Sequence, residues 1–330
     1  MALFKELPVL DSSSMARPLS PSEASRILAT KKPDWLKIRP PSGESYGQIK
    51  GLLKDQALHT VCQEAHCPNL TECWAAGTAT FMLGGDTCTR ACRFCAVKTA
   101  RLPPPLDPEE PFHVANSIAA LKLRYVVLTS VDRDDLKDGG AGHFAATIRE
   151  IKRLDPTIIV EALVPDFRGH QEPIQMVVES GVDVYAHNIE TVQRLQYRVR
   201  DPRANYLQSL ATLRVAKSYA ITVRKQGEEL FTKSSIMLGL GENEKELEQA
   251  FEDLRNYDVD VLTLGQYLRP SLQHLPVERY YSPEEFKGLQ ALAEEKGFSY
   301  VASGPMVRSS YRAGEFFIRE VIGKKRHQKG

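Results

Sequence analysis

The stretch Thr78-Ala79-Thr80-Phe81-Met82-Leu83-Gly84-Gly85-Asp86-Thr87-Cys88-Thr89-Arg90-Ala91-Cys92-Arg93-Phe94-Cys95 joins an apolar run to three closely spaced cysteines through a glycine turn. Residues 78–83, rich in β-branched and apolar side chains, read as a strand, and Gly84-Gly85-Asp86 ends it. The C-x3-C-x2-C triplet therefore sits in a loop at the carboxyl end of a first strand, where parallel α/β sheets gather their ligands. All six cysteines of the 330-residue chain lie between Val61 and Val97. The other three, Cys62, Cys67 and Cys73, have the spacing C-x4-C-x5-C. Thiolates this close in sequence can converge on one metal centre. Disulfide frameworks belong to small secreted domains, and structural zinc favours two close cysteine pairs, whereas each group here stops at three. A three-thiolate site leaves one coordination position for something other than cysteine.

Downstream, short apolar runs alternate with helical patterns. Strands are expected at residues 125–130, 158–164, 182–185, 235–240 and 259–264, with helices at 111–121, 143–153, 172–179, 205–218, 244–256 and 283–296. Strands buried on both faces and separated by helices indicate parallel βαβ units. With residues 78–83 the count is six, short of the eight of a closed barrel. Residues 102–108, with three consecutive prolines, read as an extended connector. Residues 10–22 read as an arm, and residues 21–28 and 48–58 as short helices.

Composition excludes several classes. Hydrophobic residues make up 42% and charged residues 26%, with a formal net charge of +1, so neither disorder nor a nucleic-acid partner is indicated. No run of about eighteen apolar residues suggests a membrane span. Residues 1–11 set Lys5 against Glu6 and Asp11 and lack a signal-peptide core or an Arg-rich transit pattern, so a cytoplasmic protein is expected.

The triplet Cys88-x3-Cys92-x-Phe94-Cys95 resembles the signature of the radical S-adenosylmethionine (SAM) enzymes, and the upstream triplet, from Cys62 to Cys73, resembles that of the lipoyl synthase family within them. Arg308-Ser309-Ser310-Tyr311-Arg312-Ala313 is similar to the same family's C-terminal RSSYxA motif, and Thr129-Ser130-Val131-Asp132-Arg133-Asp134-Asp135 to its TSVDRDD segment. The resemblance implies a partial (β/α)6 TIM-like barrel over residues 78–282. An N-terminal extension (1–60), an auxiliary-cluster segment (61–77) and a C-terminal segment (283–330) would flank it. It implies two 4Fe-4S clusters. Cys88, Cys92 and Cys95 would leave one iron open for SAM, and Cys62, Cys67, Cys73 and Ser310 would hold the auxiliary cluster. Ser310 is preferred to Ser309 as the hydroxyl ligand, a weaker donor to iron than thiolate.

The implied activity is insertion of two sulfur atoms, at C6 and then C8, into an octanoyl chain on a carrier-protein lysine. SAM cleavage would generate the hydrogen-abstracting radical, and the auxiliary cluster would be sacrificed as sulfur donor. Implied partners are octanoylated carrier domains of 2-oxoacid dehydrogenase acyltransferases and the glycine cleavage H protein, a reductant such as ferredoxin or flavodoxin, and an iron–sulfur carrier protein. SAM contacts are expected at strand ends: Thr129, Ser130 and Asp132; Glu161; Asn188 and Glu190; Gly239 and Gly241; Gln266 and Tyr267. Asn188 and Glu190 read equally as helix caps, and the glycines as an ordinary turn. A radical-SAM enzyme with an electron-relaying second cluster and a non-catalytic iron–sulfur or zinc protein are the alternatives.

Overall fold

Strand residues alternate between two environments, and this alternation builds the molecule. A computed structural model describes residues 32–36, 59–60, 78–225 and 228–310. In chain order the elements are β1 (His59–Thr60), β2 (Thr78–Leu83), β3 (Thr87–Cys88), β4 (Lys98–Thr99), α1 (Glu110–Ala120), β5 (Tyr125–Ser130), α2 (Ala141–Leu154), β6 (Ile159–Leu163), α3 (Gln171–Glu179), β7 (Val184–Ala186), α4 (Gln196–Val199), α5 (Tyr206–Val223), β8 (Phe231–Leu238), α6 (Glu244–Asn256), β9 (Val261–Gln266), α7 (Pro283–Glu295) and β10 (Tyr300–Gly304). One sheet runs β1-β2-β5-β6-β7-β8-β9-β10, parallel except for the antiparallel β1 edge, and β3 pairs with β4 in a separate parallel ribbon. The arms and helices expected at residues 10–28 and 48–58, and the auxiliary triplet, lie outside the described residues.

Phe81, Val126, Leu128, Val160, Ala162, Tyr185, Ile236, Leu262 and Leu264 point to the helices and join their apolar stripes in the main core. Tyr125, Val127, Ile159, Val184 and Phe231 point the other way and close on one another as a second cluster inside the sheet's curl. Just beside them the Lys233 ammonium lies 2.8 Å from both oxygens of Glu161, and the Tyr125 hydroxyl donates to Glu161 Oε2. Lys233 and Glu161 are each 1% exposed. Strands lie about 4.8 Å apart, so this pair, which spans β7, needs an inward-curling sheet. Two helices are fastened to the starts of two strands by a recurring device. Lys152 of α2 reaches Asp183 just before β7, and Lys217 of α5 reaches Asp260 just before β9.

The six expected strands are present, as an α/β partial barrel. The sheet also carries edge strands β1 and β10, which the sequence reading left unassigned. Strand β8 begins four residues earlier than expected, at Phe231 rather than Ser235. Thr232-Lys233-Ser234 looks too polar for a buried strand, until Glu161 is seen to neutralise the lysine and Asp260 to accept from Thr232.

Replacing Lys233 with Met leaves the Glu161 carboxylate buried without its cation, an arrangement that costs about 3–5 kcal/mol. Urea unfolding should show that loss. The double variant Glu161→Leu/Lys233→Met should recover most of it, because the charge is removed with its partner.

Candidate active site

The cysteine loop has little structure of its own and is held by what surrounds it. Gly84 and Gly85 both take positive φ, 77° and 86°, as the chain turns out of β2. Glu110 at the start of α1 accepts from the Gly84 N–H at 2.9 Å and from His143. The β3–β4 ribbon then closes the loop at its base, aided by Ala100 N–H donating to the Cys88 carbonyl at 3.0 Å. Along the loop, Thr89 N–H donates to the Asp132 carbonyl, Ala91 N–H to Asp201 Oδ2, and Arg93 N–H to the Val199 carbonyl, each at 2.9 Å. His274 Nε2 meets the Cys95 carbonyl at 3.0 Å. Loops following β5, β7 and β9 therefore all grip the segment that carries the thiols.

Arg90, between the first two cysteines, is the centre of this grip. Its guanidinium forks onto Asp166 at 2.7 and 2.9 Å and onto Asp134 at 2.8 and 3.0 Å. Asp134 also receives Arg168 and Arg203, each at 3.2 Å. Asp166 is buried, but the Arg90 guanidinium holds its carboxyl well below the usual range, and Asp134 is lowered the same way. Arg90 Nε lies 3.3 Å from Asp132 Oδ1 without aligning a hydrogen bond, so that buried oxygen has no donor among the described residues. Burial, with Asp166 and Asp134 close by, pushes Asp132 up to about 6 against the pull of Arg90 and Arg200.

The thiols are poised for a cation. Burial pushes Cys88 and Cys92 up to about 12 and raises Cys95, with Asp132 adding like charge to each. Backbone N–H groups of Arg90 and Asp132 point at Cys88 Sγ at 3.4 and 3.3 Å, and that of Asp201 at Cys92 Sγ at 3.3 Å. Cys95 is near enough to raise both other thiols. Glu190 faces Cys95 and is itself raised by burial. It sits at φ 66°, a left-handed conformation uncommon for a residue with a side chain, and Asn188 Nδ2 donates to its Oε1 at 3.1 Å.

Elsewhere on the rim the expected contacts divide. Thr129 and Ser130 end β5, and their hydroxyls meet no partner among the described residues. Glu161 points down into the barrel, bound to Lys233 and Tyr125, and is not available to a ribose. Gln266 donates to the Leu238, Tyr267 and Arg279 carbonyls and accepts from Tyr281 N–H, which satisfies it internally. The Tyr267 hydroxyl donates to the Leu275 carbonyl at 2.9 Å. Gly239 is needed because a Cβ would overlap the Gln266 side chain and the Arg279 carbonyl, so packing rather than adenine explains it. Gly241 takes φ 106° in the turn that follows, and Arg194 donates to its carbonyl at 2.8 Å. Asn188 and Glu190 cap no helix; Glu190 bridges to Ile236 and prolongs β7.

Residues 82–254 match the radical SAM superfamily, and residues 20–67 match the N-terminal domain of lipoyl synthase of that family. Over 300 residues, 89% of this chain and 78% of the relative, the sequence is 56% identical to lipoyl synthase 1, mitochondrial, of Pisum sativum. Over 297 residues it is 54% identical to the lipoyl synthase of Myxococcus xanthus, covering 90% of this chain and 97% of that protein. The chain belongs to the lipoyl synthase family. Among solved structures, the FeFe-hydrogenase maturase HydG of Carboxydothermus hydrogenoformans shares its fold, with a TM-score of 0.51 and 15% identity over 86% of this chain and 78% of that one.

Lipoyl synthases are radical SAM enzymes that insert sulfur with the help of SAM, a 4Fe-4S cluster and an auxiliary cluster, and this chain shares that activity and those cofactors. The described donors suit a lipoyl synthase's SAM cluster. A cubane spreads its thiolates over separate irons, further apart than ligands of one ion. No three His, Cys, Asp or Glu side chains among the described residues crowd together as a single-ion site. Ser309 and Ser310 are half-buried, and their hydroxyls have no partner among the described residues. Cys62, Cys67 and Cys73 lie outside those residues.

Sequence reasoning missed Arg90, Asp166, Asp201, Arg200 and His274. The available signal was an arginine within the C-x3-C loop and acidic residues just past strand ends. Arg200 is 6% exposed, and its hydrogen-bond partners among the described residues are neutral, the Gln196 amide oxygen and the Ser209 hydroxyl.

Arg90→Lys keeps the charge but loses the double fork, because ammonium is a point donor. Anaerobically reconstituted Arg90→Lys should hold clearly less iron at the SAM cluster, measured in a chain lacking the auxiliary cysteines. Stability should also respond to pH through His187, which donates from Nδ1 to the Val164 carbonyl, accepts at Nε2 from the Ser209 hydroxyl and is held by burial at about 4. Unfolded His titrates near 6.5, so its contribution is complete above that pH and fades as pH falls toward 4, by up to about 3 kcal/mol. His187→Gln should flatten that part of the stability profile measured by chemical unfolding.

Proposed function

We propose that Cys88, Cys92 and Cys95 hold the cluster to which SAM binds, and that the Cys62, Cys67, Cys73 and Ser310 set holds the auxiliary cluster. When bound, these groups supply what side chains cannot, namely hydrogen abstraction from an unactivated methylene and the two sulfur atoms. The chain's own part is to hold, orient and exclude water. The observation that carries the reading is the Asp132 oxygen, buried beside Cys88 with no hydrogen-bond donor among the described residues. An ammonium donor such as the amino group of SAM would satisfy it. Thr129 and Ser130, whose hydroxyls have no partner among the described residues, end β5 just before Asp132. Asn188 and Glu190, hydrogen-bonded to each other with Glu190 close enough to Cys95 to raise it, would accept from ribose hydroxyls. Arg200, buried without an ion-pair partner among the described residues, pulls Cys92 and Asp132 downward and supplies positive charge on that side.

The octanoyl chain would enter at the strand ends while its carrier domain stays outside. Octanoylated domains of 2-oxoacid dehydrogenase acyltransferases and the glycine cleavage H protein are the substrates we assign. Ferredoxin or flavodoxin would act as reductant, and an iron–sulfur carrier protein would renew the auxiliary cluster. No helix among the described residues is long and apolar enough to cross a membrane. Thiols that must stay reduced favour the cytoplasm, although the Pisum sativum relative carries a mitochondrial name.

Reconstituted protein given SAM, reductant and an octanoyl-lysyl peptide should yield 5′-deoxyadenosine and the dithiolated peptide by mass spectrometry. Iron and sulfide should each approach about eight per chain, two clusters of four. A product without added sulfur, or zinc in place of iron, would refute the assignment. Ser310→Ala should stop dithiolation while 5′-deoxyadenosine still forms, and Ser309→Ala should leave both intact; the reverse pattern would move the ligand to Ser309.

A further inference from the structure

We infer that Gly265, on the inner face of β9, positions the segment Val307–Ser310 by giving its backbone room to cross the end of the barrel. Glycine within a strand weakens it and commonly marks a place where another backbone comes close. Conformation does not require it here, for Gly265 is absent from the residues with positive φ. Its neighbours in register are Met237 of β8 and Gly304 of β10, and it shares the inward face with Val261 and Thr263. After Gly304 the chain reverses in a turn closed by Val307 N–H donating to the Gly304 carbonyl at 3.1 Å. That turn carries the Val307 carbonyl onto Gly265.

A Cβ at Gly265 would overlap the Val307 carbonyl oxygen, approach its carbon to 3.0 Å and Arg308 Nη1 to 3.5 Å. The obstructing group is main chain and cannot swing aside as a side chain would. It is also tethered from beyond, since Arg308 Nη1 donates to the Val307 carbonyl at 2.7 Å and toward the Gln266 carbonyl at 3.4 Å. Ser309 and Ser310 follow directly, so displacement of Val307 displaces both hydroxyls. The clearance is geometric, whereas its importance for the auxiliary cluster rests on the assignment of Ser310 as a ligand.

The test compares Gly265→Ala with Gly288→Ala, a site in α7 where an added Cβ meets nothing within 4 Å. Amide exchange of the peptide covering residues 304–310 should become about tenfold faster in Gly265→Ala and stay unchanged in Gly288→Ala. Unchanged exchange in both would overturn the inference. The auxiliary cluster is then read alone, by Mössbauer and electron paramagnetic resonance spectra of a Cys88→Ala/Cys92→Ala/Cys95→Ala chain. Gly265→Ala should alter those spectra as Ser310→Ala does. If Ser310→Ala alters them and Gly265→Ala does not, the positioning role is wrong and the ligand assignment stands. If exchange quickens but Ser310→Ala leaves the spectra untouched, the clearance stands and the ligand assignment fails. Should Gly265→Ala not fold, Gly265→Ala/Pro305→Gly loosens the turn so that the segment can lift. Recovery of folding with fast exchange supports the inference, and failure to recover places the role of Gly265 in the barrel itself and overturns it.

Discussion

The double fork of Arg90 onto Asp166 and Asp134 is the constraint on which the site depends. Removing charges from water costs several kcal/mol for each ion, and the attraction between them offsets this only when the geometry is good and the remaining hydrogen bonds are made. Arginine meets that condition because its planar donors match two carboxylates at once. The loop bearing Cys88, Cys92 and Cys95 has only a ribbon of two-residue strands as secondary structure. Its placement is therefore determined from outside, by acidic side chains that follow β5 and β6 and by backbone contacts to the loops after β7 and β9. The same crowding of carboxylates leaves Asp132 with an unmet oxygen and a raised affinity for its proton.

What could be read from the linear sequence was whatever short-range pattern determines. The six central strands were legible as apolar runs because each is buried on both faces, and residues 78–83 and 125–130 coincide with β2 and β5. The first four residues of β8 were not, since Lys233 is acceptable in a buried strand only once Glu161, far away in sequence, lies opposite. Strand β10 is short, ends in glycine and is followed by proline, and it gains its identity from pairing with β9.

The candidate site divides along the same line. Thiol spacing is local chemistry, so the cysteines stood out. A position at a strand end says where a side chain is anchored but not which neighbour has already claimed it. Glu161, Gln266 and Tyr267 were read as facing a ligand, and each is bound within the protein by a partner that only the fold brings near. Arg90 shows the converse, appearing in sequence as one more charged loop residue.

The lysine–aspartate fasteners and the plug beneath Glu161 and Lys233 all lie toward one end of the strands, while the thiols lie at the other. Foundations and workshop are thus on separate storeys. Loops on the upper storey can be lengthened, shortened or refitted without disturbing what keeps the lower one standing, so one scaffold can host divergent chemistries at little risk to its own integrity.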